Sequence, residues 1–325
     1  MAGASGVVSG QRLFKRICRA TLIQPNGSFF PAGENAVEIT DLRMKFQIER
    51  SVKPDPNACT LEIYNLSRTT RSLCKQKPLT VWLDAGYDNR LKQLFTGDCH
   101  FAFSRLDKPE WITKLQLRDG GAAYDSARHN VTYGAGIPVG KILADLAGKM
   151  DLSVDAGQAK VLAKYLNQQI PGARCYQGTV RDQLTQLLSP FGIQWSIQNS
   201  KLVLLRDVDT TGFAFEISQR TGMIGSPEWS TPKNDGKPNQ IRVKCLLSPE
   251  IVAGSQIQIV SVAEGSSGSF RVQKVVHRGD THGEEWVTEI EALPLDVAAS
   301  IAAGADPIRW KPDQAGSGAP TGTGD

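Results

Sequence analysis

The sequence is short of most features that announce a chemistry. No apolar run approaches the ~20 residues that a membrane-spanning helix needs. The opening stretch MAGASGVVSGQRLFKR lacks the charged-then-apolar order of a secretory signal, so synthesis in a cytoplasm is expected. There are only 6 cysteines, none in a CxxC spacing. Several sit inside apolar runs, which predicts reduced, mostly buried thiols rather than a disulfide framework or a zinc site. GxSxG, P-loop and HExxH motifs are all missing. An excess of one charge is missing too: 37 Lys+Arg against 33 Asp+Glu leave a net +4. The basic residues are scattered, which gives no footprint for nucleic-acid binding.

What is present is an ordinary globular composition, with 325 residues, 40% hydrophobic and 22% charged. That length suits two or three domains with sizeable cores. From Leu13 to Arg118 the chain reads as about six short strands with turn signals between them, a pattern of barrels and sandwiches. One strand is expected at Val37 to Gln47. Ser67 is placed as the N-cap of a short helix over Arg68 to Cys74. The texture changes at Gly120-Gly121. Pro138 to Met150 has the apolar spacing of an amphipathic helix, with proline at its first position. A weaker helix falls within Gly157 to Gln169. Thr179-Val-Arg-Asp182 resembles a capping box ahead of Leu184, Leu187 and Leu188. A tight hairpin is predicted over Ile193 to Leu205. Strands return at Ala214 to Ile217, Ile241 to Leu247 and Gln256 to Val262. Thr231 to Asn239 reads as a loop and Leu295 to Ala303 as a short helix. The tail beyond Gly304 is rich in Gly, Pro, Ser and Thr and is expected to be disordered alone, with Trp310 as an apolar anchor that either packs back onto the domain or contacts a partner.

The most informative stretch is Ser269 to Pro294. Phe270 to Val276 and Trp286 to Leu293 read as strands, with His277 to Glu284 as a polar loop between them. On the second strand Trp286, Thr288, Ile290 and Ala292 share the face expected to be buried. Glu285-Trp-Val-Thr-Glu-Ile-Glu-Ala echoes Glu110-Trp-Ile-Thr-Lys-Leu-Gln-Leu, and both follow a strand and a polar loop. Two similar β modules in one chain are therefore expected, with Trp111 and Trp286 marking their cores. Behind the tryptophans the two copies differ in charge: Lys114 and Arg118 in one, Glu289 and Glu291 in the other. Either these are separate solvated faces, or basic and acidic faces of neighbouring subunits meet in a ring.

Sites of chemistry are few. His277 and His282 with Asp280, Glu284 and Glu285 form the densest polar cluster, but a single hairpin loop imposes no ligand geometry, so a solvated loop is expected. Gly134-Ala-Gly-Ile-Pro-Val-Gly140 has GxGxxxG spacing with an internal proline, outside any alternating βαβ series, and reads as a plain passage from loop to helix. No catalytic, cofactor-binding or metal-binding residue is assigned.

Together these stretches carry a family resemblance. Val37 to Arg50, Pro56 to Ser67, Ala85-Gly-Tyr87 and Leu94 to Asp98 resemble the N-terminal half of phage baseplate hub proteins. Leu246 to Gly254, Gly268 to Val272, His277 to Asp280 and Glu285-Trp286 resemble the C-terminal half. The resemblance covers residues 12 to 296. It implies a mainly β chain in which two tube-protein-like β-barrel modules, 12–120 and 206–304, flank a helix-plus-hairpin module, 121–205. Residues 1–11 and 305–325 are expected to be flexible ends. It implies a structural, non-enzymatic component of a contractile tail: a homotrimer that adapts a threefold central spike to a sixfold tail tube. Partners would be the tube protein, the spike protein, the tape measure protein and surrounding baseplate proteins. DNA would pass only in transit through the lumen, and no membrane is involved. The location implied is the virion baseplate, assembled in the host bacterial cytoplasm. The alternatives are a tail-tip cell-wall hydrolase and the hub of a related bacterial contractile injection system.

Overall fold

A computed structural model describes residues 15–24, 35–87, 90–154, 156–199, 201–206, 210, 214–230, 239–263 and 265–295. The expectations for the two ends, for the loop over 231–238, for the helix beyond Leu295 and for Trp310 fall outside these residues.

The first β module runs β1 (Arg16–Ile23), β2 (Ala36–Ile39), β3 (Met44–Ser51), β4 (Ala58–Tyr64), α1 (Arg68–Leu73), β5 (Thr80–Tyr87), β6 (Arg90–Asp107) and β7 (Glu110–Arg118). The expected single strand at Val37 to Gln47 is two strands, broken at 40–43. Period-two patterning sets the faces: along β3, Met44, Phe46 and Ile48 are buried while Lys45, Gln47 and Glu49 are exposed. The Ser67 hydroxyl accepts the Thr70 N–H at 3.1 Å and starts α1 as the sequence predicts.

The middle module holds α2 (Gly121–Ser126), β8 (Val131–Tyr133), α3 (Val139–Lys149), β9 (Ser153–Val154), α4 (Ala156–Val161), α5 (Ala163–Leu166), β10 (Arg174–Tyr176), α6 (Val180–Leu188), β11 (Ile193–Gln198) and β12 (Lys201–Arg206). Val139, Ile142, Leu143 and Leu146 of α3 pack into one core with Leu184, Leu187 and Leu188 of α6. Pro138 is the N-cap of α3 rather than its first residue. The capping box at α6 does not form. Aspartate is one methylene shorter than glutamate, and the Thr179 hydroxyl donates directly to the Asp182 carboxylate instead.

The second β module runs β13 (Ala214–Ser218), β14 (Met223–Trp229), β15 (Ile241–Leu246), β16 (Gln256–Val260), β17 (Gly268–Asp280) and β18 (Trp286–Pro294). Strand β17 continues four residues past Val276. His277 is therefore a fully buried strand residue and not part of a solvated loop.

All strands of both β modules join one 13-stranded sheet in the order β14-β15-β18-β17-β3-β4-β7-β6-β5-β1-β2, with β13-β16 joined to β17 beside β3. The two modules repeat one strand plan. The run β3-β4-β7-β6-β5-β1 corresponds to β14-β15-β18-β17-β16-β13, in the same sequence order. Every step is antiparallel in both except the last: β1 lies antiparallel to β5, β13 parallel to β16. The correspondence extends to irregularities. Counting from Trp111 and Trp286, β6 breaks register between Cys99 and Phe101 opposite Leu117 and Gln116. Strand β17 breaks it between Val272 and Lys274, opposite the equivalent Ala292 and Glu291. A bulge retained at the same place in both copies is the structural counterpart of the Glu-Trp-x-Thr echo.

Each module covers its own apolar cluster, one drawn mainly from β1–β7 and one from β13–β18. The modules are joined because β17 is longer than β16. Its first half pairs with β16, and Lys274 to Asp280 then pair with β3.

Candidate assembly surface

The central strands expose one broad face. Across it the registers set Arg242 opposite Glu291, Lys244 opposite Glu289, Val276 opposite Glu49, and Glu62 opposite Lys114. Lys114, Arg118, Glu289 and Glu291 all lie on this face, and each has an ion-pair partner in its own chain. Lys114 meets Glu62 at 3.4 Å and Arg118 meets Asp125 at 3.0 Å. Glu289 meets Lys244 at 3.4 Å and also Arg278, while Glu291 meets Arg242 at 3.2 Å. Lys274 and Glu49 add a pair at 2.5 Å. Cross-strand pairs at this exposure are each worth about 0–1 kcal/mol. The opposite charge of the two echoed strands is thus already matched within the chain, by the strands beside them and, for Arg118, by Asp125 of α2. Between Ile224 and Glu228 strand β14 bulges away from β15. The resulting groove, of about 470 Å3, is lined by Glu49, Glu228, Arg242, Lys274, Arg278 and Glu291, among others.

The two tryptophans have different surroundings. Trp286 is 1% exposed, packs edge-on against Phe46 with centroids 5.5 Å apart and lies 6.5 Å from the Tyr87 ring. Its neighbours belong to the first module, so it marks the core of that module and not of its own. Trp111 is 39% exposed and is not a core residue. Thr113, Leu115 and Leu117, which share its face of β7, are buried. Trp111, however, sits at the hairpin tip beyond the end of the cluster, and the Arg71 guanidinium lies over its ring at 3.8 Å.

The histidine cluster is committed to structure. His277 Nδ1 lies 2.9 Å from the Thr288 hydroxyl. Burial, and then the charge of Arg50, hold its pKa down at about 3. Asp280 accepts from Arg43 at 2.8 and 3.1 Å and from the backbone N–H groups of His282 and Gly283. Burial alone would raise its pKa, but the hydrogen bonds from Arg43, His282 and Gly283 and the Arg43 charge together outweigh that and lower it. Among the described residues no group of three or more His, Cys, Asp or Glu is placed to hold a metal. The cysteines are all unpaired, with Cys175 exposed and the other five buried.

A buried polar junction, absent from the sequence reading, fastens the middle module. The β11–β12 turn reaches both β modules. Arg50 donates to the Asn199 side chain at 2.7 Å and to the Leu94 carbonyl, and Asn57 donates to the Ile197 carbonyl at 2.6 Å. Fully buried Asp119 accepts the Asn199 N–H, and Gln198 donates to the Ala253 carbonyl at 3.4 Å. The only sequence signal is an arginine at an inward position of a strand that otherwise alternates cleanly.

In the large sheet three strands present an open backbone edge among the described residues: β2, β13 and β14. A fourth stretch does so in part, since β6 pairs with β5 only as far as Asp98, which leaves Phe101 to Asp107 bonded on the β7 side alone.

Comparison with known proteins places these features in a family. A family model described as baseplate hub gp41 matches residues 19–291. A 43 kDa tail protein of prophage MuSo2 from Shewanella oneidensis has the same fold, with TM-score 0.60 at 11% identity over 88% of this chain and 98% of that one. A tail protein from Neisseria meningitidis gives TM-score 0.59 at 11% identity over 86% and 96%. An Escherichia coli type VI secretion component, described as similar to T4 tail proteins, gives 0.55 at 11% over 78% and 73%. No curated protein matches the sequence.

Proposed function

The chain belongs to the baseplate hub gp41 family, and from that premise we propose that three copies form a ring adapting a threefold central spike to a sixfold tail tube. The observation that carries the reading is the repeated strand plan within one sheet. Three copies of a chain with two like modules present six like modules, which is the symmetry a hexameric tube requires. The function is then structural. The ring caps the tube, holds the spike, and encloses a channel for the tape measure protein and for DNA in transit. Surrounding baseplate proteins contact its outside. It resides in the virion tail, assembled in the host bacterial cytoplasm, and catalyses no reaction.

The exposed face carrying Lys114, Arg118, Glu289 and Glu291 is assigned to contacts between subunits, and Trp310 to a contact with a partner. Obligate ring interfaces commonly bury upwards of ~2,000 Å², so the isolated chain should self-associate. Charge reversal at those four positions tests the assignment: ring assembly should weaken while each module stays folded. Normal assembly of such variants would leave the face merely solvated. Incubation with peptidoglycan tests the enzymatic alternative, since release of soluble fragments would overturn a purely structural role.

A further inference from the structure

The internal repeat implies more than symmetry. One junction between like modules is already made inside the chain, where the distal half of β17 pairs with the open side of β3, Lys274 to Asp280 against Ser51 to Lys45. The equivalents of both partners are unpaired. Counting through the registers from the two tryptophans, Phe101 to Asp107 of β6 correspond to Lys274 to Asp280 of β17. Counting through β4 and β15 in the same way, Met44 corresponds to Met223 and Ile48 to Trp229, so β14 stands where β3 does. We infer that Phe101–Asp107 of one copy pairs antiparallel with β14 of the next copy, repeating between chains the β17–β3 junction made within each chain. This inference rests on the ring reading and names the contact that builds it.

Three independent features of the two edges fit one another. The first is exposed apolar surface. Phe101 is 49% exposed, Leu106 48% and Ile224 40%, and these three lie on the two edges, while Trp111, 39% exposed, faces Leu106 across the β6–β7 hairpin. Trp286, the equivalent of Trp111, is buried against Phe46 of β3 and Tyr87 of β5. In the repeated junction Trp111 would be covered by the next copy's second module, where the bulge of β14 takes the place of Phe46.

The second feature is size. Inside the chain Gly279 faces Phe46, and a Cβ there would lie 2.4 Å from the phenylalanine ring. The equivalent of Gly279 is Leu106, and the place of Phe46 is taken by the Gly225-Ser226-Pro227 bulge of β14. A small residue against a large one has become a large residue against small ones, which conserves volume at the contact.

The third feature is charge. In the transferred register Arg105, equivalent to Arg278, falls opposite Glu228, equivalent to Gln47. Among the described residues Arg105 has only the 3.8 Å approach to Asp107. The joined sheet also carries Lys114 and Arg118 onto the same face as the next copy's Glu289 and Glu291. That arrangement is the alternating basic and acidic rows expected of a ring.

The pairing is tested in the full-length chain with Cys175→Ser removing the exposed thiol. In that background Arg105→Cys plus Glu228→Cys should give, on mild oxidation, head-to-tail covalent dimers and trimers on denaturing gels, and each single variant should stay monomeric there. Separately, Arg105→Glu and Glu228→Arg should each raise the concentration for half-assembly, read by mass photometry, by about tenfold, one close charge pair, and the double exchange should restore it. Far-ultraviolet circular dichroism confirms that each variant is folded. Absence of the ladder, or single reversals that assemble like the unaltered chain, overturns the pairing, as does an unaltered chain that stays monomeric. The two readings fail separately. A threefold ring on the tube without the cross-link refutes the edge pairing and leaves the hub reading standing. A cross-linked oligomer that does not cap the tube does the reverse.

Discussion

Replacing each echoed tryptophan by alanine should have unequal consequences, although the local sequences are nearly the same. Trp286 is 1% exposed and makes edge-on contact with Phe46 and Tyr87. Its removal deletes a full indole from a closed core, which costs about 3–5 kcal/mol, with the lost aromatic pairing of ~0.5–1.5 kcal/mol pushing toward the upper end. Trp111 is 39% exposed and stacks under Arg71. Its truncation forfeits a partly exposed cation–π contact of about 0.5–1 kcal/mol and some edge packing, or roughly 1–2 kcal/mol altogether. Urea unfolding followed by fluorescence, at a concentration low enough to keep association out of the measurement, should show the midpoint of Trp286→Ala falling far more than that of Trp111→Ala, with similar slopes. Self-association should rank them the other way for the folded chain, because Trp111 lies on the open hairpin. Equal losses of stability, or a larger loss for Trp111→Ala, would refute the assignment of the two tips to different environments.

Further outcomes follow from the same packing. His277 has an ordinary value of 6.5 and about 3 when folded, so below 6.5 the unfolded chain takes up a proton that the native chain refuses, and stability falls as pH falls across that window. The full slope is about 1.4 kcal/mol per pH unit, which makes the loss near pH 4.5 on the order of 3 kcal/mol. His277→Gln should flatten this limb, while the share of Asp280 is lost only at more acidic pH. Melts from pH 7 to 4 check it, and an unchanged limb would contradict the buried neutral imidazole. Gly279→Ala should cost about 1–3 kcal/mol through collision with Phe46, and Phe46→Leu in the same chain should recover part of it. Asp119→Ala removes the acceptor of the Asn199 N–H and the nearby negative charge that favours the buried Arg50 cation, and should cost about 1–3 kcal/mol. A loss under ~1 kcal/mol would mean that the junction is not held by charge.

Much of this architecture is legible in the sequence, because strand faces are written in period two. The alternation in β3, the face shared by Trp286, Thr288, Ile290 and Ala292, and the amphipathic spacing of α3 each predict the burial observed. The duplication was visible from one octapeptide echo. What was not legible is what crosses between modules. Identical local patterns put Trp286 in a core and Trp111 at an open tip, because the difference lies in whether β3 stands alongside. The length of β17 was missed for the same reason: its polar sequence reads as a loop until β3 satisfies its backbone and buries His277. The Arg50 junction joins residues more than a hundred positions apart, and no local period reports such a contact.

The central claim is tested most directly by electron microscopy of the chain co-expressed with its tube protein. The account predicts tubes capped at one end by a threefold ring whose density divides into six like lobes. Bare tube ends, or a cap of any other symmetry, would contradict it.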